Sequence, residues 1–256
     1  LIVCVGEATK AVPYLVSETK TYQTTIQLGA ETQTDDAAGD ILFERPWAHI
    51  TESAVREALP TFIGDVQQLP PRVSALKVNG KRMHKRVRDG EDVDSLLKPR
   101  DVQCYEIKLQ AFTPPKLAFE LTVGKGYYIR SFARDLGQAL ASAAHVSTLR
   151  RTQIGIHSTE KAHAISDDES DLLPHLLPVS SALSHLPIIR TTHKASQRLR
   201  HGQRIPLGDG ISSDAHLQPH TPLLILEPDG SALAVGELSS EMVLRVNRVF
   251  APIDDA

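Results

Sequence analysis

Lys125-Gly126-Tyr127-Tyr128-Ile129-Arg130-Ser131 is where the chain changes from one periodicity to another. Before it, Phe119, Leu121 and Val123 alternate with Glu120 and Thr122, the period-two pattern of a half-buried strand. After it, Ile129, Phe132, Ala133, Leu136 and Leu140 recur at helical spacing. The stretch is therefore predicted to join a strand to a helix, with Tyr128 and Arg130 at the junction. A phenol and a guanidinium two residues apart there can reach one polar pocket. Gly124 and Gly126 allow a close backbone approach or a positive φ. On this segment alone, an ordinary strand–helix turn with a core tyrosine and a surface arginine is the competing reading.

Working outward, Thr21 to Gly29 reads as a strand with Tyr22, Thr24, Ile26 and Leu28 on one face. Asp35-Asp36-Ala37-Ala38-Gly39-Asp40 reads as a polar turn, so its two adjacent aspartates are taken as turn residues and not as a carboxylate pair. Thr51 is placed to cap a helix carrying Val55, Ala58 and Leu59, bounded by Pro60 and Gly64. Leu69-Pro70-Pro71-Arg72 demands extended backbone. Val102 to Leu109 is predicted as a strand, as is a short segment near Ile154 to Ile156. The opening run Leu1-Ile2-Val3-Cys4-Val5 also reads as a strand, cut in or near its middle. Beyond Pro187, Leu223 to Leu226, Leu233 to Val235 and Val243 to Val246 read as strands, with Pro228-Asp229-Gly230 as a turn. The expected organisation is a domain over 1–187 and a small β-rich domain over 188–256.

With 256 residues, 41% hydrophobic and 23% charged, the chain can bury a core for one large domain or a medium and a small one. The net charge of −3 does not mark a general polyanion binder, although a local patch can still hold phosphates. Cys4 and Cys104 are far apart and no Cys/His cluster has metal-ligand spacing, so no metal is expected. Cysteines this sparse suit a reducing, cytoplasmic setting. No apolar run reaches the length of a bilayer span, and nothing in the sequence demands more than a monomer.

Lys77, Lys81, Arg82, Lys85, Arg86 and Arg88 fall in twelve residues with no acid among them, after a tight turn at Asn79-Gly80. This stretch is either a solvated basic face or a phosphate grip, and the second reading is favoured because no acid interrupts the six cations. Arg150 and Arg151 add basic points elsewhere. Tyr22 either packs in the core or stacks on an unpaired base; alone, core burial is the simpler reading.

These pieces occur in a recognisable order. Val5-Gly6-Glu7-Ala8-Thr9-Lys10, Lys20-Thr21-Tyr22, Leu28-Gly29 with Thr32 to Gly39, Pro71 to Lys77, Lys125 to Arg130, and Leu149-Arg150-Arg151 with Gly155 together resemble the TruB family of transfer-RNA pseudouridine synthases. Leu199 to Gln203, Ala234 to Glu237 and Arg245 to Phe250 more weakly resemble its small PUA-like C-terminal domain. The resemblance implies an α+β fold: a mixed, mainly antiparallel sheet flanked by helices, then the β-rich module. It implies an isomerase of tRNA processing that converts uridine to pseudouridine in the TΨC loop, with no cofactor and no metal.

It also implies roles for individual residues. Tyr22 would stack on the flipped uracil. Tyr128 would line the pocket and accept the C5 proton. Leu149 would contact the base, and the basic stretch after Pro71 would grip RNA. Arg130 would hold an aspartate ionised, since a neighbouring guanidinium lowers a carboxylate pKa by about 1–3 units. The family's nucleophilic aspartate lies in a Gly-Thr-Leu-Asp-Pro motif ahead of the strand that begins at Leu1, and that motif is absent from residues 1–256. The chain is thus expected to lack its N-terminal segment. His84 and Tyr127 depart from the family's usual tyrosine and threonine. Two other readings stay open: a tRNA-binding module that modifies nothing, and a guide-RNA-dependent enzyme of the dyskerin type.

Overall fold

The computed structural model describes residues 1–213 and 216–250. They form two compact units, one of residues 18–154 and one of residues 1–17 with residues from 155 onward. The spatial grouping differs from a 1–187 and 188–256 division in where residues 1–17 and 155–187 fall.

In the second of these units, Leu1–Val5 alternates in exposure as a strand would, yet among the described residues it has no strand pairing. A 3-10 turn (Gly6–Ala11) and helix α1 (Val12–Val16) follow, with Pro13 in the first turn, where its missing N–H costs nothing.

In residues 18–154, strand β1 (Lys20–Leu28) leads to a hairpin of β2 (Ala30–Thr32) and β3 (Ile41–Glu44). Helix α2 (Glu52–Ala58) starts at Thr51, whose side chain accepts the Ala54 N–H as expected. Strand β4 (Gly64–Gln68) precedes a small hairpin of β5 (Lys77–Val78) and β6 (Lys81–Arg82). Asn79 and Gly80 turn that hairpin with φ of 49° and 78°, the left-handed pair a two-residue turn needs. Helix α3 (Met83–Arg88) continues from it. Long strands β7 (Arg100–Thr113) and β8 (Lys116–Val123), helix α4 (Ile129–Ala139) and strand β9 (Ala144–Ile154) complete the unit. No separate strand forms at 154–156: β9 runs on to Ile154, and Gly155 at φ 51° turns the chain out of the ladder.

Strands β9, β1, β8, β7 and β4 lie side by side in that order, every pair antiparallel. One face carries Ile26, Leu117, Phe119 and Leu121 into a core closed by Phe132, Ala133 and Leu136 of α4. The Phe132 ring meets Phe119 and Phe62 edge-on at centroid distances of 5.6 and 5.3 Å. At Gly137 the helix comes so close to the start of β9 that an added Cβ would lie 2.6 Å from the Ala144 nitrogen. The strand–helix junction read from the sequence is present, and its helix is held firmly against the sheet.

The other unit contains the two-residue strand β10 (His157–Ser158), helices α5 (Glu169–Leu172) and α6 (Val179–Ala182), and a second sheet. That sheet comprises β11 (Ile188–Thr191), β12 (Ile205–Pro206), β13 (Ile211–Ser212), β14 (Leu223–Leu226), β15 (Ala232–Leu238) and β16 (Val243–Val249). Helix α7 (His193–Arg200), capped by Thr192, follows β11. The strand order is β12-β16-β15-β14-β11-β13, and only β11 and β14 run parallel among the described pairs. Ala11 and Leu15 join Leu224, Leu226, Val235 and Phe250 in one apolar cluster, and the Lys10 ammonium donates to the Val249 carbonyl at 2.9 Å. Those contacts group the first seventeen residues with this sheet. Among the described residues, no helix is long and apolar enough to cross a membrane.

Candidate active site

Tyr128 is the residue at which β-type backbone (φ −109°, ψ 114°) hands over to α4. Its neighbours are split by that geometry: Tyr127 and Ile129 are buried, whereas Tyr128 and Arg130 are half-buried on the other side. Tyr127 therefore belongs to the core, where burial drives its phenol pKa upward, and Tyr128 presents its ring away from that core. The backbone of Tyr128 is fixed by Gln68, whose side-chain amide accepts its N–H at 2.9 Å and donates to its carbonyl at 3.1 Å. Gln68 was invisible as a site residue in the sequence. Its only signal there is a polar side chain just before the Leu69-Pro70-Pro71 segment.

Arg130 points into a polar enclosure. One terminal nitrogen donates to the Asp36 Oδ2 at 3.0 Å and to the Thr34 carbonyl at 2.9 Å. The other donates to the Val73 carbonyl at 2.8 Å. The second Asp36 oxygen accepts the Thr34 hydroxyl at 2.6 Å and the Ala38 N–H at 3.1 Å. Among the described residues Asp36 is thus the carboxylate that Arg130 meets: the segment is the turn its sequence suggests, and the turn carries an ion-pair partner for α4. Its Oδ1 accepts two hydrogen bonds and its Oδ2 one, so the carboxylate is fixed where it holds the guanidinium. The loop carrying it is tied to β9 by Ala37 N–H to Val146 carbonyl (2.9 Å) and Val146 N–H to Asp35 carbonyl (3.0 Å).

Tyr22 stands opposite Leu121 on one side and Arg151 on the other, near the end of β1 that adjoins the 124–128 turn. It shares the covered face with Thr24, Ile26 and Leu28 and packs partly against the core. Leu149 is paired with Thr24, so it lies on that same face. Yet Leu149 is 46% exposed, while Val146, also on that face, is 3% exposed. An apolar side chain on the covered side that still meets solvent marks where the cover ends. Tyr22 and Leu149 thus flank the open end of the sheet's inner face. Here Lys20 has its pKa lowered by burial and then by Arg151 and Lys125, with Glu18 opposing. Cations crowded this way favour an anionic partner.

The basic stretch is less free than its sequence suggests. The Lys81 ammonium pairs with Asp89 at 2.7 Å and with Glu91, and Arg86 pairs with Glu91 at 2.5 Å and donates to the Val78 carbonyl at 3.0 Å. Acids just beyond the run fold back onto it. Lys77, Arg82, Lys85 and Arg88 are exposed and form no salt bridge among the described residues. Arg150 is exposed on β9 and Arg151 half-buried. His84 places both its backbone N–H and its ring Nδ1 at 3.0 Å from the Ser74 carbonyl, tying α3 to the segment that follows Arg72.

Two family models match this chain. The one described as TruB family pseudouridylate synthase (N terminal domain) covers residues 1–129, and the one described as tRNA pseudouridylate synthase B C-terminal domain covers residues 130–184. Proteins named tRNA pseudouridine synthase B are similar over most of the chain. That of Arthrobacter sp. (strain FB24) is 36% identical, spanning 92% of this chain and 78% of its own length. That of Roseobacter denitrificans is 40% identical over 79% and 68%, and that of Xanthomonas campestris pv. campestris is 35% identical over 100% and 82%. Among solved structures, an H/ACA ribonucleoprotein bound to a substrate RNA containing 2′-deoxyuridine contains a chain of TM-score 0.72 at 20% identity, covering 98% of this chain and 71% of that one. A chain of a Cbf5-Nop10-Gar1 complex matches at TM-score 0.72 and 22% identity, over 97% and 71%. These two show a shared fold.

Proposed function

Because the chain belongs to the TruB family of pseudouridylate synthases, we propose that it isomerises uridine to pseudouridine in transfer RNA, at the uridine of the TΨC loop. The observation that carries this reading is the placement of Tyr128 and an aspartate-oriented Arg130 across the first turn of α4. A stacked uridine offers neither C1′ nor C5 to a protein group, so it must leave the loop. Tyr22 supplies the face on which the flipped uracil stacks, and Leu149 the apolar wall beside it. The N1–C1′ bond breaks, the base turns and C5 bonds to C1′; the proton that leaves C5 on the Tyr128 side is matched by one that the freed N1 takes up, so the product is an isomer of the substrate. Arg130, held by Asp36 here, would favour the ionised form of the attacking carboxylate, the Gly-Thr-Leu-Asp-Pro aspartate that the resemblance implies and residues 1–256 do not contain. Lys77, Arg82, Lys85 and Arg88 hold phosphates with Arg150 and Arg151, while Lys81 and Arg86 shape the hairpin. We take residues 1–187 as the catalytic part and 188–256 as a PUA-like module of a monomeric, cytoplasmic enzyme. Its free cysteines, Cys4 and Cys104, fit a reducing compartment.

The test is release of tritium from C5 of uridine in an unmodified tRNA transcript. It compares the chain as it stands with the chain bearing a Gly-Thr-Leu-Asp-Pro segment ahead of Leu1. Release that depends on the added segment supports the reading. No release from either form, where the Arthrobacter enzyme turns over, overturns it. A second reading, binding of tRNA without modification, draws on the exposed cations Lys77, Arg82, Lys85 and Arg88 alone. Tight binding with no turnover in both forms would select it.

A further inference from the structure

One helical turn beyond Arg130, Arg134 repeats its arrangement on the adjacent residue of the same loop. Its Nη1 donates to Asp35 Oδ2 at 3.0 Å and its Nη2 to the Leu69 carbonyl at 2.8 Å, while its Nε donates to Asp135 Oδ1 at 2.9 Å. The Ser131 hydroxyl, between the two arginines, also donates to the Leu69 carbonyl at 2.7 Å. Asp35 and Asp36 are consecutive, so in extended or right-handed backbone their side chains would not both face the α4 arginines. Asp35 adopts φ 58°, a left-handed conformation that aspartate tolerates better than most residues, and its side chain is buried against Arg134. Arg130 and Arg134 therefore grip the same two segments in parallel: the Thr32–Gly39 loop through Asp36 and Asp35, and the 69–73 segment through the Val73 and Leu69 carbonyls.

We infer that Asp35 and Arg134 are positioning residues: a second clamp that holds the loop so that Asp36 meets Arg130, and that seats the base of the basic hairpin. The clamp touches no reacting atom and works through Arg130, so its role in turnover rests on the pseudouridylation reading. The groups facing Asp35 are Arg134, Arg130 and Asp135 of α4 and Glu31 of β2, and on the β9 side the Val146 N–H. Burial disfavours its charge more than Arg134 restores it, so the charged pair is kept against a folding cost. That is the behaviour of a group retained for placement and not for stability.

The experiment uses the full chain as wild type, Asp35→Asn, Arg134→Gln and Arg134→Lys. Asparagine keeps the left-handed backbone and removes the charge. Amide exchange of residues 32–39 is measured, together with thermal unfolding at neutral pH. In whichever form of the chain turns over tRNA, kcat and KM are measured separately. The expected result is at least a tenfold loss of loop protection in Asp35→Asn and Arg134→Gln. The midpoint of Asp35→Asn should not fall, and Arg134→Lys should recover part of the protection. Turnover should show kcat lowered at least tenfold with KM changed less than threefold. Unchanged protection in both charge-removing variants overturns the clamp. A loss of protection that only follows a fall in unfolding midpoint also overturns it, by reducing the pair to ordinary scaffolding. If no form turns over tRNA, the pseudouridylation reading fails, and loop exchange alone still decides whether the clamp exists.

Discussion

Gln68 and Tyr128 form a closed two-bond ring: the glutamine amide accepts the tyrosine N–H and donates to the tyrosine carbonyl. The pairing imitates a β-ladder where β8 has already ended, and it sets the angle at which the chain enters α4. Since Gln68 is 4% exposed, water cannot replace it. Gln68→Leu is therefore expected to leave the Tyr128 N–H unsatisfied, its carbonyl still accepting the Phe132 N–H at 3.1 Å, and to cost about 1–3 kcal/mol. Urea unfolding measures the loss, and a variant as stable as wild type would show that the ring is dispensable.

Arg130→Ala should abolish turnover with only a modest loss of RNA affinity, because the side chain is turned toward Asp36, Thr34 and Val73 and not toward solvent. Asp36→Asn should also lower turnover, by removing the charge that orients the guanidinium. Filter binding alongside the tritium assay separates the effects. Equal losses in binding and turnover for Arg130→Ala would make it a phosphate contact.

The cations of the basic stretch should divide in two. Neutralising Arg82, Lys85 and Arg88, which are exposed and form no salt bridge among the described residues, should reduce the slope of log affinity against log salt by roughly 0.7–0.9 per lost phosphate contact. Lys81→Gln and Arg86→Gln should leave the slope nearly unchanged and instead loosen the hairpin, since both cations are occupied by Asp89 and Glu91. An equal drop in slope across all five positions would contradict this division.

Asp35 should make stability depend on pH. Its pKa is raised from 3.8 to about 6, chiefly by burial, against the pull of Arg134. For an acid whose folded pKa exceeds its unfolded value, the folded state binds the proton more tightly. The stabilisation is complete below about 4 and is lost as the pH rises through about 6. It amounts to roughly 3 kcal/mol at most. Asp35→Asn should remove this component, so the stability difference between wild type and variant should change between those pH values and be flat above. Chemical unfolding at a series of pH values tests the sign.

Gly137→Ala should destabilise the chain by about 1–3 kcal/mol, because the added Cβ would press on the Ala144 backbone and push α4 from β9. Loss of activity should track that displacement. Unaltered stability would mean that the helix can shift at little cost.

The sequence alone determined the periodicities. The switch from alternation at Phe119–Val123 to helical spacing at Ile129–Leu140, the Thr51 cap and the Asn79-Gly80 turn are local effects of side-chain pattern and backbone preference, and each is present. Local order of motifs also carried the family. What only the tertiary structure decided is which groups face one another across long sequence separations. Arg130 meets Asp36, Gln68 meets Tyr128, and Glu91 reaches back to neutralise Lys81 and Arg86. The run Leu1–Val5 has the alternation of a strand but no ladder partner among the described residues, and a strand is defined by the hydrogen bonds it shares. A residue's pattern with its near neighbours is set by the chain itself, whereas a carboxylate's role depends on which donors the fold brings to its oxygens.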